Sequence, residues 1–155
     1  MIKDLVIHPF SISHDAVHPL CYTVRKDNKK ISIATDLGCY DSYITEKLKD
    51  SNVLFIEANH DVEMLQKGDY PYYLKKRILS DKGHLSNIAS GKLISELLNG
   101  NLQYIILGHL SRENNHPDTA HKSVRAELAA SDKICLHDIQ LIVSEREEIT
   151  GMVTI

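Results

Sequence analysis

The chain has 155 residues, 43% hydrophobic and 25% charged, which suits one globular domain able to bury a core. Its net charge of −3 excludes bulk attraction to nucleic acid. No apolar run approaches the ~20 residues of a membrane helix, and no signal-peptide pattern opens the chain. Cys21, Cys39 and Cys135 form no CxxC pair, so they read as buried or free thiols of a reducing cytoplasm.

In chain order, Leu5 to Ile7 and Phe10 to Ser13 predict a strand, with Pro9 as an edge or bulge residue. A second strand spans Leu20 to Arg25. The polar turn Lys26 to Lys29 leads to a third, Lys30 to Thr35, which alternates with period two and ends at Asp36. Asp41 or Ser42 caps a helix to Leu48. The apolar run Val53 to Glu57 predicts a buried strand. A short helix from Asp61 to Gln66 closes at Gly68. Pro71 suits the start of a helix over Tyr72 to Leu79. Ser86 caps a longer helix through Leu98, closed by Asn99 and Gly100. Tyr104 to Leu107 predicts a strand that runs into Gly108 and His109. Asp118 caps a helix to Ala130, with Ala120, Val124 and Leu128 on one face. Ile139 to Val143 predicts another strand, and Met152 to Ile155 a last one. Strands dominate the first half and alternate with helices in the second, so the fold class is α/β, or layered α+β.

His14, Asp36, Glu57 and His109 all lie at or just past predicted strand ends. Strand ends on one rim can converge, and such rims commonly hold sites. Imidazole with carboxylate suits zinc or manganese. A carboxylate there can bridge two ions. The spacing leaves Asp36-Leu37-Gly38 equally open as a plain turn. His8, His18, His121 and His137 read as surface or structural, and His116 as a solvated loop residue. Glu57, Asn59, His60 and Asp61 form a polar cluster after a buried strand: either they orient ligands, or Asp61 simply caps a helix. Lys75, Lys76 and Arg77 form a basic run that reads as a solvated helix face or as a nucleic-acid track.

Five stretches resemble the WalJ/YycJ family, bacterial enzymes of the metallo-β-lactamase fold described as phosphodiesterases or exonucleases. They are FSISHDAVHP (Phe10 to Pro19), ATDLG (Ala34 to Gly38), IEANHDVEML (Ile56 to Leu65), GDYPYYLKKRILSDKGHLSN (Gly68 to Asn87) and LGHLSRENNHPDTA (Leu107 to Ala120). The resemblance implies that residues 1–155 are a partial domain, the C-terminal half of an αββα sandwich without its N-terminal half. It implies His14, Asp36 and His109 as metal ligands, Asp36 bridging both ions. His84 resembles a motif histidine near the substrate phosphate in related tRNA-processing nucleases, with a catalytic role in proton transfer or phosphate contact; a helix-entry role is the alternative. Glu57, Asn59, His60, Arg112 and Asn114 are expected to touch substrate or support the ligands, and Asn115 to reach phosphate with Arg112 and Asn114.

Two departures stand out. Pro19-Leu20-Cys21-Tyr22 carries Cys21 where the family usually has Gly. The His-x-His-x-Asp-His loop that supplies most of the other ligands is absent from these 155 residues. The complete protein is therefore expected to hold two divalent ions, zinc or manganese, and to hydrolyse nucleic acid or another phosphodiester in the cytoplasm, away from membranes. This chain is expected to be inactive alone and to need its missing half or a partner chain, with homo-oligomers also open. A lactone, thioester or cyclic-phosphate hydrolase of the same fold, or a non-catalytic split or truncated subunit, are the alternatives. His14, Asp36 and His109 are expected to lie within roughly 10 Å of one another, the scale of a two-metal site.

Overall fold

The computed structural model describes residues 3–131 and 139–155; the readings of Cys135 and His137 lie outside that range. The strands are β1 (Val6–Ser11), β2 (Leu20–Lys26), β3 (Lys29–Ala34), β4 (Val53–Glu57), β5 (Tyr104–Gly108) and β6 (Gln140–Val143). The helices are α1 (Ser42–Leu48), α2 (Val62–Lys67), α3 (Tyr72–Ile78), α4 (Asn87–Leu97) and α5 (Pro117–Ala129). One six-stranded sheet carries the strands in sequence order.

β1, β2 and β3 pair antiparallel, and β3 to β6 pair parallel. β2 and β3 close tightly because only Asp27 and Asn28 lie between Lys26 and its partner Lys29. Asp27 takes a left-handed φ of 51°, which Asp tolerates better than most residues. β3, β4, β5 and β6 are joined through helices, as parallel strands require. β1 runs in the same direction as β3, since each opposes β2. The C-terminal ends of five strands therefore share one rim.

The two faces of the sheet differ. On one, Phe10, Cys21, Ala34, Leu54, Ile56, Ile105 and Leu107 pack with Ile44 and Leu48 of α1, Leu93, Ile94 and Leu97 of α4, and Val124 and Leu128 of α5. Lys30 is buried on this face; its ammonium donates to the Lys47 and Lys49 carbonyls at 2.7 and 2.5 Å, and burial pushes its pKa down to about 8. Cys21 is buried with its thiol 3.3 Å from the Thr35 carbonyl, and burial pushes that thiol up to about 11.

The other face is also apolar. Two cross-strand rows run over it. One is Ile7, Val24, Ile31, Val53 and Tyr104; the other is Pro9, Tyr22, Ile33, Phe55, Ile106 and Ile142. Leu20 is 43% exposed and Tyr22 41%.

Local expectations needed three corrections, and the edge alternative for Pro9 held. His116, not Asp118, caps α5: its ring accepts from the Asp118 N–H, and Pro117 takes the first helical position. That also gives His116 a structural contact in place of a purely solvated one. Pro71 is the cap of α3 rather than its first residue. Pro9 sits in an edge strand whose register is continuous, without a bulge. Met152 to Ile155 form no strand; no described strand offers them a ladder partner. No helix among the described residues is long and apolar enough to cross a membrane.

Candidate metal centre

The rim collects side chains distant in sequence. His14 follows β1, Asp36 follows β3, Glu57 ends β4 and His109 follows β5. His84 enters from the loop between α3 and α4. That loop is tied down: the His84 N–H donates to the Ile78 carbonyl at 3.1 Å, Asn59 N–H to Leu85 at 3.0 Å, and Asp15 N–H to Lys82 at 3.2 Å. Gly38 and Gly83 permit the close approach. A Cβ on Gly38 would stand 2.3 Å from the Asp81 oxygen, and one on Gly83 2.2 Å from that of Ile78.

Asp36 is the centre of the cluster. Its Oδ1 lies 3.6 Å from His14 Nε2, 3.6 Å from His109 Nδ1 and 3.8 Å from His84 Nδ1. The His14–His84 and His84–His109 ring centroids are both 5.1 Å apart. Asp36 and His109 are left-handed, with φ of 57° and 55°. Such backbone costs on the order of 1–2 kcal/mol per residue and persists only where neighbours impose it. Here Glu57 accepts from the Asp36 N–H at 3.1 Å, and Asn59 Nδ2 donates to the His109 carbonyl at 2.9 Å.

Glu57 is fully buried and joins three loops. One oxygen accepts from Leu37 N–H at 2.9 Å and Leu85 N–H at 2.8 Å. The other accepts from Asp36 N–H and stands 3.2 Å from Nδ1 of both His84 and His109. Burial raises the pKa of this carboxyl, but the hydrogen bonds of His109, His84 and Leu85 outweigh it and hold the group below its ordinary value. The same bond to Glu57 raises the pKa of His109. Five donors crowd a group with about four lone-pair sites. Glu57 thus orients the His84 and His109 rings and leaves little for a cation.

His14 is oriented from outside as well. Its Nδ1 stands 3.0 Å from the Gly83 carbonyl, which can only accept, so Nδ1 carries the proton. Nε2 then faces Asp36 and, at 3.4 Å, Asp15. With two carboxylates beside it, this nitrogen lies where positive charge is favoured. Donor atoms of two triads, His14–Asp36–His84 and Glu57–His84–His109, lie within 4.8 Å of one another. The Asp36 side of the cluster, with His14 and His109 both 3.6 Å from its Oδ1, suits a divalent ion better than the crowded Glu57. These distances exceed a hydrogen bond and approach the separation of about 3.3 Å between ligand atoms around tetrahedral zinc. The His84 and His109 Nδ1 atoms sit between the two carboxylates, so Glu57 orients what Asp36 shares.

The remaining singled-out residues divide by burial. Asn59, His60, Asn114 and Asn115 are buried and support loops rather than face solvent. Asn115 Nδ2 donates to the Ala58 carbonyl and the Asn87 side chain, both at 2.8 Å. Among the described residues the His60 ring has no hydrogen-bond partner, and burial lowers its pKa to about 4. Arg112 alone of this group is exposed. Ser86 caps α4, accepting from Ala89 N–H at 3.2 Å; His84 lies before the cap, inside the cluster. Asp61 caps α2 through the Met64 N–H at 2.9 Å. The basic run is partly engaged: Lys75 donates to the Gln66 carbonyl at 2.8 Å, and Arg77 makes a two-pronged pair with Asp15. That pair pulls Asp15 down to about 2. Sequence reasoning missed Asp15, whose signal was its place directly after His14.

Known proteins resemble this chain in sequence and in fold. The chain is 42% identical over 129 residues to "Exodeoxyribonuclease WalJ" of Streptococcus pneumoniae, covering 83% of this chain and 48% of that protein. It is 37% identical over 121 residues to "Exodeoxyribonuclease YycJ" of Bacillus anthracis, covering 78% and 46%. The chain is homologous to these WalJ/YycJ proteins over most of its own length. It spans about half the length of the curated relatives it matches. Among solved structures, the metallo-β-lactamase-fold protein YhfI of Bacillus subtilis matches with a TM-score of 0.60 at 12% identity, over 92% of this chain and 47% of YhfI. Zn(2+)-bound PqqB of Methylobacterium extorquens matches with a TM-score of 0.55 at 10% identity, over 92% and 49%. These likenesses show the metallo-β-lactamase fold in this WalJ/YycJ relative. No protein-family model matches the chain.

Proposed function

We propose that this chain is half of a metal-dependent phosphodiesterase of the nuclease type, acting on nucleic acid in the cytoplasm. The observation that carries the reading is the ring of His14, His84 and His109 around Asp36, in a chain similar to proteins named exodeoxyribonucleases. His14, Asp36 and His109 would hold divalent zinc or manganese, two ions in the complete protein. Bound there, the ions supply Lewis-acid activation of water and neutralise phosphate charge. Asp36, central to the three histidines, would hold the ions with His14 and His109. Glu57 accepts from the His84 Nδ1–H and orients the ring, so that the far nitrogen, carrying a proton in the imidazolium form, could pass it to the leaving oxygen. Asn59 holds the His109 peptide in its left-handed turn.

Three ligands do not make a two-metal site, so the chain alone is inactive in this reading. The remaining ligands come from the polypeptide that makes up the rest of the relatives' length, in this protein or in a partner. The exposed apolar rows of the sheet are where a second sheet would pack, burying Leu20, Tyr22 and Ile33.

The test is a nuclease assay on single- and double-stranded DNA and RNA with manganese or zinc. It compares this chain, a protein completed with the His-x-His-x-Asp-His half, and Asp36→Ala in the completed protein. Only the completed protein with Asp36 should cleave. Cleavage by the 155 residues alone, lost in Asp36→Ala, would overturn the half-site reading. A completed protein inert on every nucleic acid but active on a lactone, thioester or cyclic phosphate would move the assignment to another hydrolase of the fold.

A further inference from the structure

Beside the cluster lies an open groove of about 680 Å³, within the range of pockets that take a small ligand. His109 belongs to both the groove and the metal cluster. The other walls come from three places: Arg112 and His116 between β5 and α5, Glu145 and Arg146 after β6, and Tyr70 between α2 and α3. The parallel order of β5 and β6 explains why these segments meet, since both strands end at this rim.

The chemistry of the walls is specific. Arg112 and Arg146 are exposed cations on a chain whose net charge is −3. Arg146 is held in place by donating to the Leu110 carbonyl at 2.6 Å. Glu145 is the acidic residue of the lining, so the groove does not suit an indiscriminate polyanion. Past Tyr70, Tyr72 and Tyr73 open α3 while 81% and 73% exposed. Exposed aromatic rings beside phosphate-binding cations are the elements of a single-strand track, with bases stacked and the backbone paired to charge. Only Pro71 separates Tyr70 from Tyr72, so their Cα atoms lie within about 7.6 Å.

We infer that this groove is the track for a single nucleic-acid strand next to the metal cluster, with Arg112 and Arg146 on its phosphates and Tyr70, then Tyr72 and Tyr73, beneath its bases. The inference rests on the nuclease reading and adds where the strand lies. It also separates two roles among the residues after β5: the buried Asn114 and Asn115 support the loops, and Arg112 meets the strand.

Binding can be read without catalysis. Fluorescence anisotropy of a fluorescein-labelled oligothymidine is titrated with the 155-residue chain in chelator, over a range of salt. Arg112→Ala and Arg146→Ala should each weaken binding and lower the slope of log affinity against log salt by about 0.7, one phosphate contact on a single strand. Tyr70→Ala should weaken binding about five-fold or more with the salt slope kept, the signature of lost stacking. Lys92→Ala, an exposed cation on α4, should change neither. Arg112 has an exposed side chain, so its variant tests the groove without endangering the fold; circular dichroism checks the others. Absence of binding by the parent chain, or arginine variants that match it in affinity and slope, overturns the inference. Binding that behaves as expected in a completed protein that hydrolyses no nucleic acid leaves the strand track standing and removes the nuclease reading instead.

Discussion

The two faces of the sheet are both apolar, yet they have different fates. Leu54, Ile56, Ile105 and Leu107 point into a layer of helices and are buried. Tyr22, Ile33 and Leu20 point the other way and remain more than a third exposed. A strand apolar on both faces is a strand meant for the middle of a layered structure. The difference teaches that the helix-covered face carries this chain's own stability. The open face instead carries information about what the chain packs against.

Substitutions can break or sharpen that comparison. The largest effect is expected on the buried side of the rim. Glu57→Ala strands three backbone N–H groups and two histidines; it should cost about 3–5 kcal/mol, as removal of one partner from a buried charged network does. Urea unfolding checks it, and a loss under about 1 kcal/mol would mean that the loops hold themselves. On the covered face, Leu54→Ala should cost about 2–5 kcal/mol by the same measurement.

Acid should act through His60. Its folded pKa of about 4 lies below the ordinary 6.5, so between these values the unfolded chain binds the proton better. The contribution of neutral His60 is present in full above pH 6.5 and is lost as pH falls through 4. It amounts to about 3 kcal/mol at most, from 1.36 kcal/mol per pKa unit. His60→Gln should flatten unfolding free energy across that window; an unchanged acid limb would place the loss elsewhere.

The smallest stability effect is expected on the open face. Ile33→Ser should change stability by no more than about 0.5 kcal/mol, as a surface substitution does. It should nevertheless reduce self-association in sedimentation and binding of an apolar dye, because it breaks an exposed apolar row. If Ile33→Ser destabilises as much as Leu54→Ala, the face is already covered within this chain. A specific, saturable dimer lost in Ile33→Ser would identify a second copy, rather than the proposed complementary half, as its occupant.

Local elements were the most legible part of the sequence. The apolar run Val53–Glu57 and the alternation before Asp36 define β4 and β3 to within a residue. Asp41, Asp61 and Ser86 cap the helices expected of them, because a cap acts over three residues. Where a competing group was available, the local rule failed: His116 before Pro117 displaced Asp118 as the cap of α5. The basic run on α3 gave no hint that Arg77 is engaged, since its partner Asp15 lies 62 residues away.

The sequence by itself determined the α/β alternation, the positions of His14, Asp36 and His109 after strands, and the family motifs that a 42% identical relative bears out. Patterns with periods of two or four residues, and short motifs, are written in neighbouring positions. Only the tertiary structure decided that Glu57 is the hub of the rim, that Asn59, Asn114 and Asn115 turn inward, and that Arg112, Arg146 and Tyr70 share one groove. Each of those facts depends on groups brought together from separate strands and loops. The physical reason is the common direction of β1 and β3 to β6, which delivers distant chain segments to one edge.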